Sequence, residues 1–219
     1  MPAVNNTDLI TFNGWTLRVR PSQSPSARLL LLIHGWTGDE DSMWVFTRGL
    51  SPNYWMIAPR APHRAEPGGF SWRPHQAKTF GQPSLEMLKP AVESLIRLID
   101  EYSASVNLDA QQIDLMGFSQ GAALVNLVGM LYPQRVRKMG VLAGFVPSGL
   151  EAIIEQKPLL GKVVFVAHGT RDELVPIDRA RSSIELLETA GAQVTYCEAE
   201  IGHKLSAACL RALEGYLND

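Results

Sequence analysis

Gly117-Phe118-Ser119-Gln120-Gly121 constrains the fold of this chain more than any other stretch. A short apolar strand pattern, Ile113, Leu115 and Met116, runs into it. A small-residue helix pattern, Ala122, Ala123, Leu124, Leu127, Val128 and Leu131, runs out. A serine at such a strand-to-helix turn is held in a strained backbone conformation that lifts its hydroxyl above the end of the sheet. The flanking glycines fit the same geometry: a Cβ at Gly117 or Gly121 would collide with the neighbouring strand or helix, and only glycine lacks one.

The rest of the chain supplies the sheet that such a turn needs. Strands are expected at Thr16–Arg20, Leu29–Ile33, Trp55–Ala58, Ile113–Met116, Met139–Ala143, Val163–Ala167 and Val194–Cys197. The later ones are continuously apolar, as strands buried on both faces of a parallel sheet are. Between them lie helical patterns. The clearest carries Leu85, Leu88, Val92, Leu95, Ile96, Ile99 and Tyr102 on one face, with Pro83 near its first turn. Others cover Ala122–Tyr132, Arg179–Thr189 and Leu205–Leu217. This alternation predicts an open α/β sheet with right-handed crossovers and reactive loops beyond the carboxyl ends of its strands. With 219 residues, 46% of them hydrophobic, the chain is expected to form a single domain over 1–219.

Composition excludes several function classes. A net charge of −2 with basic residues scattered singly gives no footprint for nucleic acid. Residues Met1 to Ile10 lack the basic and apolar regions of a signal peptide. No apolar run approaches the roughly 18 residues that span a bilayer, so stable membrane insertion is not expected. The two cysteines, Cys197 and Cys209, are too few for a disulfide framework; they are expected as packed core thiols, compatible with a reducing cytoplasm. No H-E-x-x-H, C-x-x-C or clustered carboxylate pattern is present, so neither a metal nor another cofactor is expected.

A serine hydroxyl needs a base to act as a nucleophile at neutral pH, and histidine is the natural one. On a strand-turn-helix serine the partners follow in the order Ser, Asp or Glu, His. After Ser119 the chain holds two histidines, His168 and His203, and three aspartates, Asp172, Asp178 and Asp219. Asp172 follows the apolar strand Val163–Ala167 on a loop, where an acid that orients the base belongs. Asp178 reads as a helix N-cap, and Asp219 ends the sequence. With Asp172 as acid, His203 in Ile201-Gly202-His203-Lys204 is the base left downstream. His34 and His168 read as loop-ordering residues at strand ends, and His63 and His75 as solvated.

Acyl transfer also needs donors aimed at a developing oxyanion. One is expected from the backbone N–H of Gln120, at the start of a helix. The second is expected after the early strand, in His34-Gly35-Trp36-Thr37-Gly38, with the Trp36 N–H as the choice and Thr37 as the alternative. The stretch from Pro59 to Pro83 is rich in proline and glycine and carries Phe70, Trp72 and Phe80. A connection this long without clear periodicity is usually functional or mobile. Phe70 and Trp72, with Trp36 and Thr37, are the candidate substrate-binding wall.

The motifs Leu32-Ile33-His34-Gly35, Gly117-Phe118-Ser119-Gln120-Gly121-Ala122, His168-Gly169-Thr170-Arg171-Asp172 with Val175-Pro176, and Gly202-His203 run in that order along most of the chain. In this the chain resembles the phospholipase/carboxylesterase family of α/β-hydrolases, which includes acyl-protein thioesterases. The resemblance implies an α/β-hydrolase fold with a mostly parallel central sheet, helices on both faces and no large cap domain. It implies Ser119 as nucleophile, Asp172 and His203 as its partners, and main-chain oxyanion donors at Gln120 and Trp36. One departure is that Thr37 spaces the second glycine one residue further along than the H-G-x-G-D common among the thioesterases. Another is that Phe70-Ser71-Trp72-Arg73-Pro74 stands in the region where they carry W-F-D. The expected function is therefore a cofactor-free, cytoplasmic serine carboxylesterase cleaving small-molecule esters of short to medium acyl chains. An acyl-thioesterase or lysophospholipase with the same triad is the alternative. A non-catalytic ligand-binding protein is the rival of another class, and a homodimer is left open.

Overall fold

In the computed structural model, which describes residues 7–74 and 83–219, six strands precede the first of five α-helices and four more alternate with the helices that follow. His75, Phe80 and Gly81 of the irregular segment lie outside the described residues. The strands are β1 (Asp8–Phe12), β2 (Trp15–Arg20), β3 (Arg28–Ile33), β4 (Tyr54–Pro59), β5 (His63–Arg64), β6 (Phe70–Ser71), β7 (Ile113–Phe118), β8 (Val136–Leu142), β9 (Val163–Gly169) and β10 (Gln193–Ala199). Eight form one sheet in the order β1-β2-β4-β3-β7-β8-β9-β10, while β5 and β6 pair separately. β2 runs antiparallel to both neighbours, and β4, β3, β7, β8, β9 and β10 are parallel in that spatial order. The helices are α1 (Leu85–Ser105), α2 (Gln120–Leu131), α3 (Glu151–Ile154), α4 (Ile177–Thr189) and α5 (Ala207–Asn218).

The order of winding reverses between β3 and β7. From β3 the chain steps outward to β4, then returns through α1 to β7 on β3's other side and continues to β10. Such a reversal opens a crevice beyond the carboxyl ends of the two strands.

Alternation within the strands builds two cores. Leu29, Leu31 and Ile33 of β3 face one core with Leu95 and Ile99 of α1 and Leu124 and Val128 of α2. Leu30 and Leu32 face the other, with Met43, Trp44 and the α5 residues Leu213 and Leu217. Because both faces are covered, every residue from Leu29 to Ile33 is fully buried, which is why this strand reads as an unbroken apolar run.

Three expectations change. β1 is a strand that the apolar pattern does not reveal, since Leu9 is largely exposed. Its signal is the Asn13-Gly14 pair, both at positive φ (45° and 83°), which turns it back along β2 as a hairpin. Asp178 is not an N-cap: Pro176 holds that position and Asp178 lies in the first turn of α4, where a carboxylate complements the helix dipole. Cys197 and Cys209 are not separate core thiols but a disulfide between β10 and α5. Cysteine number and spacing do not report that the strand end and the helix start fold against each other.

Candidate active site

Ser119 joins β7 to α2 at φ 56° and ψ −115°, a conformation rarely adopted outside glycine and costly by roughly 1–3 kcal/mol. Its surroundings hold it there. The Ser119 N–H donates to the Leu142 carbonyl at 2.9 Å, and its carbonyl accepts from the Ala123 N–H at 3.2 Å. A Cβ on Gly117 would lie 2.3 Å from the Gly121 carbonyl oxygen, and one on Gly121 only 2.0 Å from that of Ile33. Both glycines are therefore required for α2 to start so close to β3 and β7.

Asp172 and His203 converge from β9 and β10. The Asp172 side chain is wholly buried. Its Oδ1 accepts the N–H groups of Leu174 and Val175, both at 2.9 Å. Its Oδ2 lies 2.6 Å from His203 Nδ1. A carboxylate oxygen can only accept, so Nδ1 carries the proton, and the neutral imidazole then has its lone pair at Nε2. Backbone bonds knit the two loops: Thr170 N–H to Ala199 O at 2.8 Å and Arg171 N–H to Ile201 O at 3.0 Å. The Phe118 ring lies against the imidazole, with ring centroids 4.9 Å apart, and Phe46 stacks behind it at 5.7 Å. The imidazole therefore packs against the residue that immediately precedes Ser119.

His34 and His168 order loops, as their positions suggested. His34 donates from Nδ1 to the Gly35 carbonyl at 2.7 Å and accepts the Ala61 N–H at Nε2 at 3.0 Å. His168 donates from Nε2 to the Val175 carbonyl at 2.8 Å, behind Asp172. Burial holds both imidazoles below their ordinary pKa, because desolvation disfavours the charged form.

The early loop and the irregular segment are joined. The Thr37 N–H donates to the Phe70 carbonyl at 3.0 Å, and the Phe70 N–H to the Gly38 carbonyl at 2.9 Å. Thr37 has φ 67° and is exposed; Trp36 is half-buried. Phe70 is half-buried with Arg60 and Arg64 each stacked at 4.7 Å from its ring centre. Trp72 departs from the expectation. It is 1% exposed, lies against Trp15 and His34, and donates its indole N–H to the His34 carbonyl at 2.8 Å. It anchors the segment from within and cannot line a pocket wall. The Gln120 side chain, also buried, accepts the Trp72 N–H at 3.0 Å. This bond and the Phe118 ring contact are features that the sequence did not reveal. A buried-side polar residue at the head of a small-residue helix was the only signal for the first.

This arrangement on this sheet defines an α/β-hydrolase. The chain belongs to the Phospholipase/Carboxylesterase family, whose profile matches residues 16–219, and with that family it is an ester hydrolase. Acyl-protein thioesterase 1 of Debaryomyces hansenii is 28% identical over 80% of this chain and 82% of its own length. A probable inactive carboxylesterase of Oryza sativa subsp. japonica is 28% identical over 84% and 81%. The carboxylesterase of Mesorhizobium loti superposes with a TM-score of 0.82 at 21% identity, covering 97% of this chain and 99% of that one; at that identity the likeness speaks for the fold. Among the described residues no helix is long and apolar enough to cross a membrane.

Proposed function

We propose that the chain is a single-domain serine carboxylesterase for short- to medium-chain esters, with Ser119 as nucleophile, His203 as base and Asp172 as the acid that orients it. Ser119 Oγ attacks the ester carbonyl while His203 Nε2 takes its proton. The tetrahedral oxyanion accepts the N–H groups of Gln120 and Trp36. Collapse expels the alcohol, which takes the proton from His203, and water then releases the acid by the same route. The observation that carries this reading is the 2.6 Å bond between His203 Nδ1 and the buried, doubly N–H-bonded carboxylate of Asp172. It fixes the imidazole in the tautomer a base requires.

Gln120 opens α2, where backbone N–H groups have no helical partner and favour negative charge. For the second donor, the Thr37 N–H is engaged by the Phe70 carbonyl, which argues against Thr37. Trp36, Thr37 and Phe70 remain as substrate wall. Catalytic hydrogen bonds often tighten only around substrate, and we assign the Ser119–His203 contact to that state.

One family relative is described as inactive, so activity has to be tested directly. A fluorophosphonate should label the folded protein at one site, and Ser119→Ala should abolish labelling; an unlabelled wild type would favour the ligand-binding reading. A thioesterase relative keeps the acyl-thioesterase and lysophospholipase readings as alternatives. A strong preference for long acyl thioesters over p-nitrophenyl acyl esters would select the thioesterase. A cytoplasmic location loses the support of its cysteines, since disulfides are rare in that compartment.

A further inference from the structure

The Cys197–Cys209 disulfide encloses the loop that carries His203. Cys197 lies near the end of β10, in register with Ala167 of β9, and Cys209 lies in the first turn of α5, where its N–H is accepted by Ser206 Oγ at 3.1 Å. The two cysteines are 12 residues apart in sequence, and His203 stands midway between them.

The two arms of this loop are held unequally. The arm entering from β10 is bonded to the Asp172 loop through Ala199 and Ile201. A Cβ on Gly169 would come within 2.3 Å of the Ile201 and Gly202 carbonyls, so the approach is tight. The arm leaving His203 has the local bond from Lys204 N–H to the Gly202 carbonyl and then the Ser206 cap of α5. Lys204 is exposed and Leu205 and Ser206 are half-buried. β10 is also the edge strand, so only β9 supports it within the sheet. The disulfide is the one covalent tie between the start of the leaving arm's helix and the strand that delivers the loop.

We propose that the Cys197–Cys209 disulfide is a positioning element for His203, so that its redox state sets the catalytic rate. This rests on His203 being the base. Reduction by a dithiol breaks the S–S bond and transfers two electrons and two protons. It leaves Cys197 and Cys209 as thiols and the dithiol as its own disulfide. Cys209 is buried, and Cys197, packed against the second core, is half-buried, so Cys197 is the less covered end of the bond. With the tie open, the N-terminal turn of α5 and the leaving arm gain freedom, and the imidazole spends less time on Asp172. Ser119, Gln120 and the oxyanion loop follow β7 and β3, away from the disulfide, and keep their geometry. The change should therefore appear in kcat and not in KM.

The test is hydrolysis of p-nitrophenyl acetate by the oxidised protein, by the protein reduced with dithiothreitol, and by Cys197→Ala/Cys209→Ala, with circular dichroism and thiol counting by mass spectrometry alongside. Reduction is expected to lower kcat about tenfold or more, leave KM within twofold and leave the circular dichroism unchanged. Reoxidation should restore the rate, and the double variant should match the reduced enzyme and ignore dithiothreitol. An unchanged kcat in verified reduced protein would overturn the proposal. So would loss of kcat only together with loss of secondary structure, which would make the disulfide a general staple, and so would purified protein with two free thiols. If His203→Ala keeps full activity in the oxidised state, the assignment of the base fails and the proposal falls with it; if His203→Ala is inactive and reduction changes nothing, only the proposal falls.

Discussion

The proposed nucleophile and its proposed base follow two differently built strands of one sheet. Ser119 follows β7, a central strand with neighbours on both sides and five consecutive fully buried residues. His203 follows β10, an edge strand on which no residue is fully buried. At the first position close packing and two backbone hydrogen bonds hold a strained backbone: a Cβ on either flanking glycine would lie 2.0–2.3 Å from a carbonyl oxygen. At the second, hydrogen bonds to the Asp172 loop, an aromatic contact and a disulfide do the holding. Stiffness in the core comes from density. At an edge it must come from specific bonds, which can be broken one at a time.

The sharpest way to break this comparison is chemical. Ser119→Ala should lower kcat by roughly 10⁶-fold, as removal of the nucleophile does in a serine protease, with the fold intact by circular dichroism. Asp172→Asn should cost about 10⁴-fold, since an amide cannot hold His203 in the same tautomer. A near-normal rate on p-nitrophenyl acetate would show that another group orients the base.

Glycine substitutions sharpen it on the stability side. Gly121→Ala places a methyl 2.0 Å from the Ile33 carbonyl and should destabilise by about 3 kcal/mol, read by urea denaturation. Gly202→Ala, beside His203, meets nothing closer than 3.7 Å and should change stability by less than ~1 kcal/mol. Equal effects would mean that the two ends are equally packed.

The smallest expected effect concerns pH. His34 and His168 are held below their ordinary pKa by burial, so the unfolded chain takes up protons near pH 6.5 that the folded one refuses. Stability is then fully present above about pH 6.5 and declines as pH falls below it, by up to ~1.4 kcal/mol per pH unit for each group. Melting temperatures between pH 8 and 5.5 should show this decline; a flat profile would mean that both imidazoles accept protons in place.

Legibility followed the same division. The central strands were readable because burial on both faces leaves an unbroken apolar run, as in Leu29–Ile33, and the turn at Ser119 because two glycines are obligatory there. The edge hairpin β1 was not readable from apolar pattern, since its residues are mostly exposed and only Asn13-Gly14 marks it. The order of Ser119, Asp172 and His203 along the chain, with the loops they stand on, nominated them as a set, and the structure brings Asp172 and His203 into contact.

What the sequence determined by itself was local or periodic: the apolar central strands and their alternation with helices, the serine turn and the order of the three polar groups. Three matters were decided only by tertiary structure, namely that Trp72 is buried under the early loop, that Thr37 spends its N–H on Phe70, and that Cys197 meets Cys209. Each depends on which of two distant segments approaches the other, and from which side. Residue type and spacing fix what a group can bond to. Only the packed fold fixes what lies within reach.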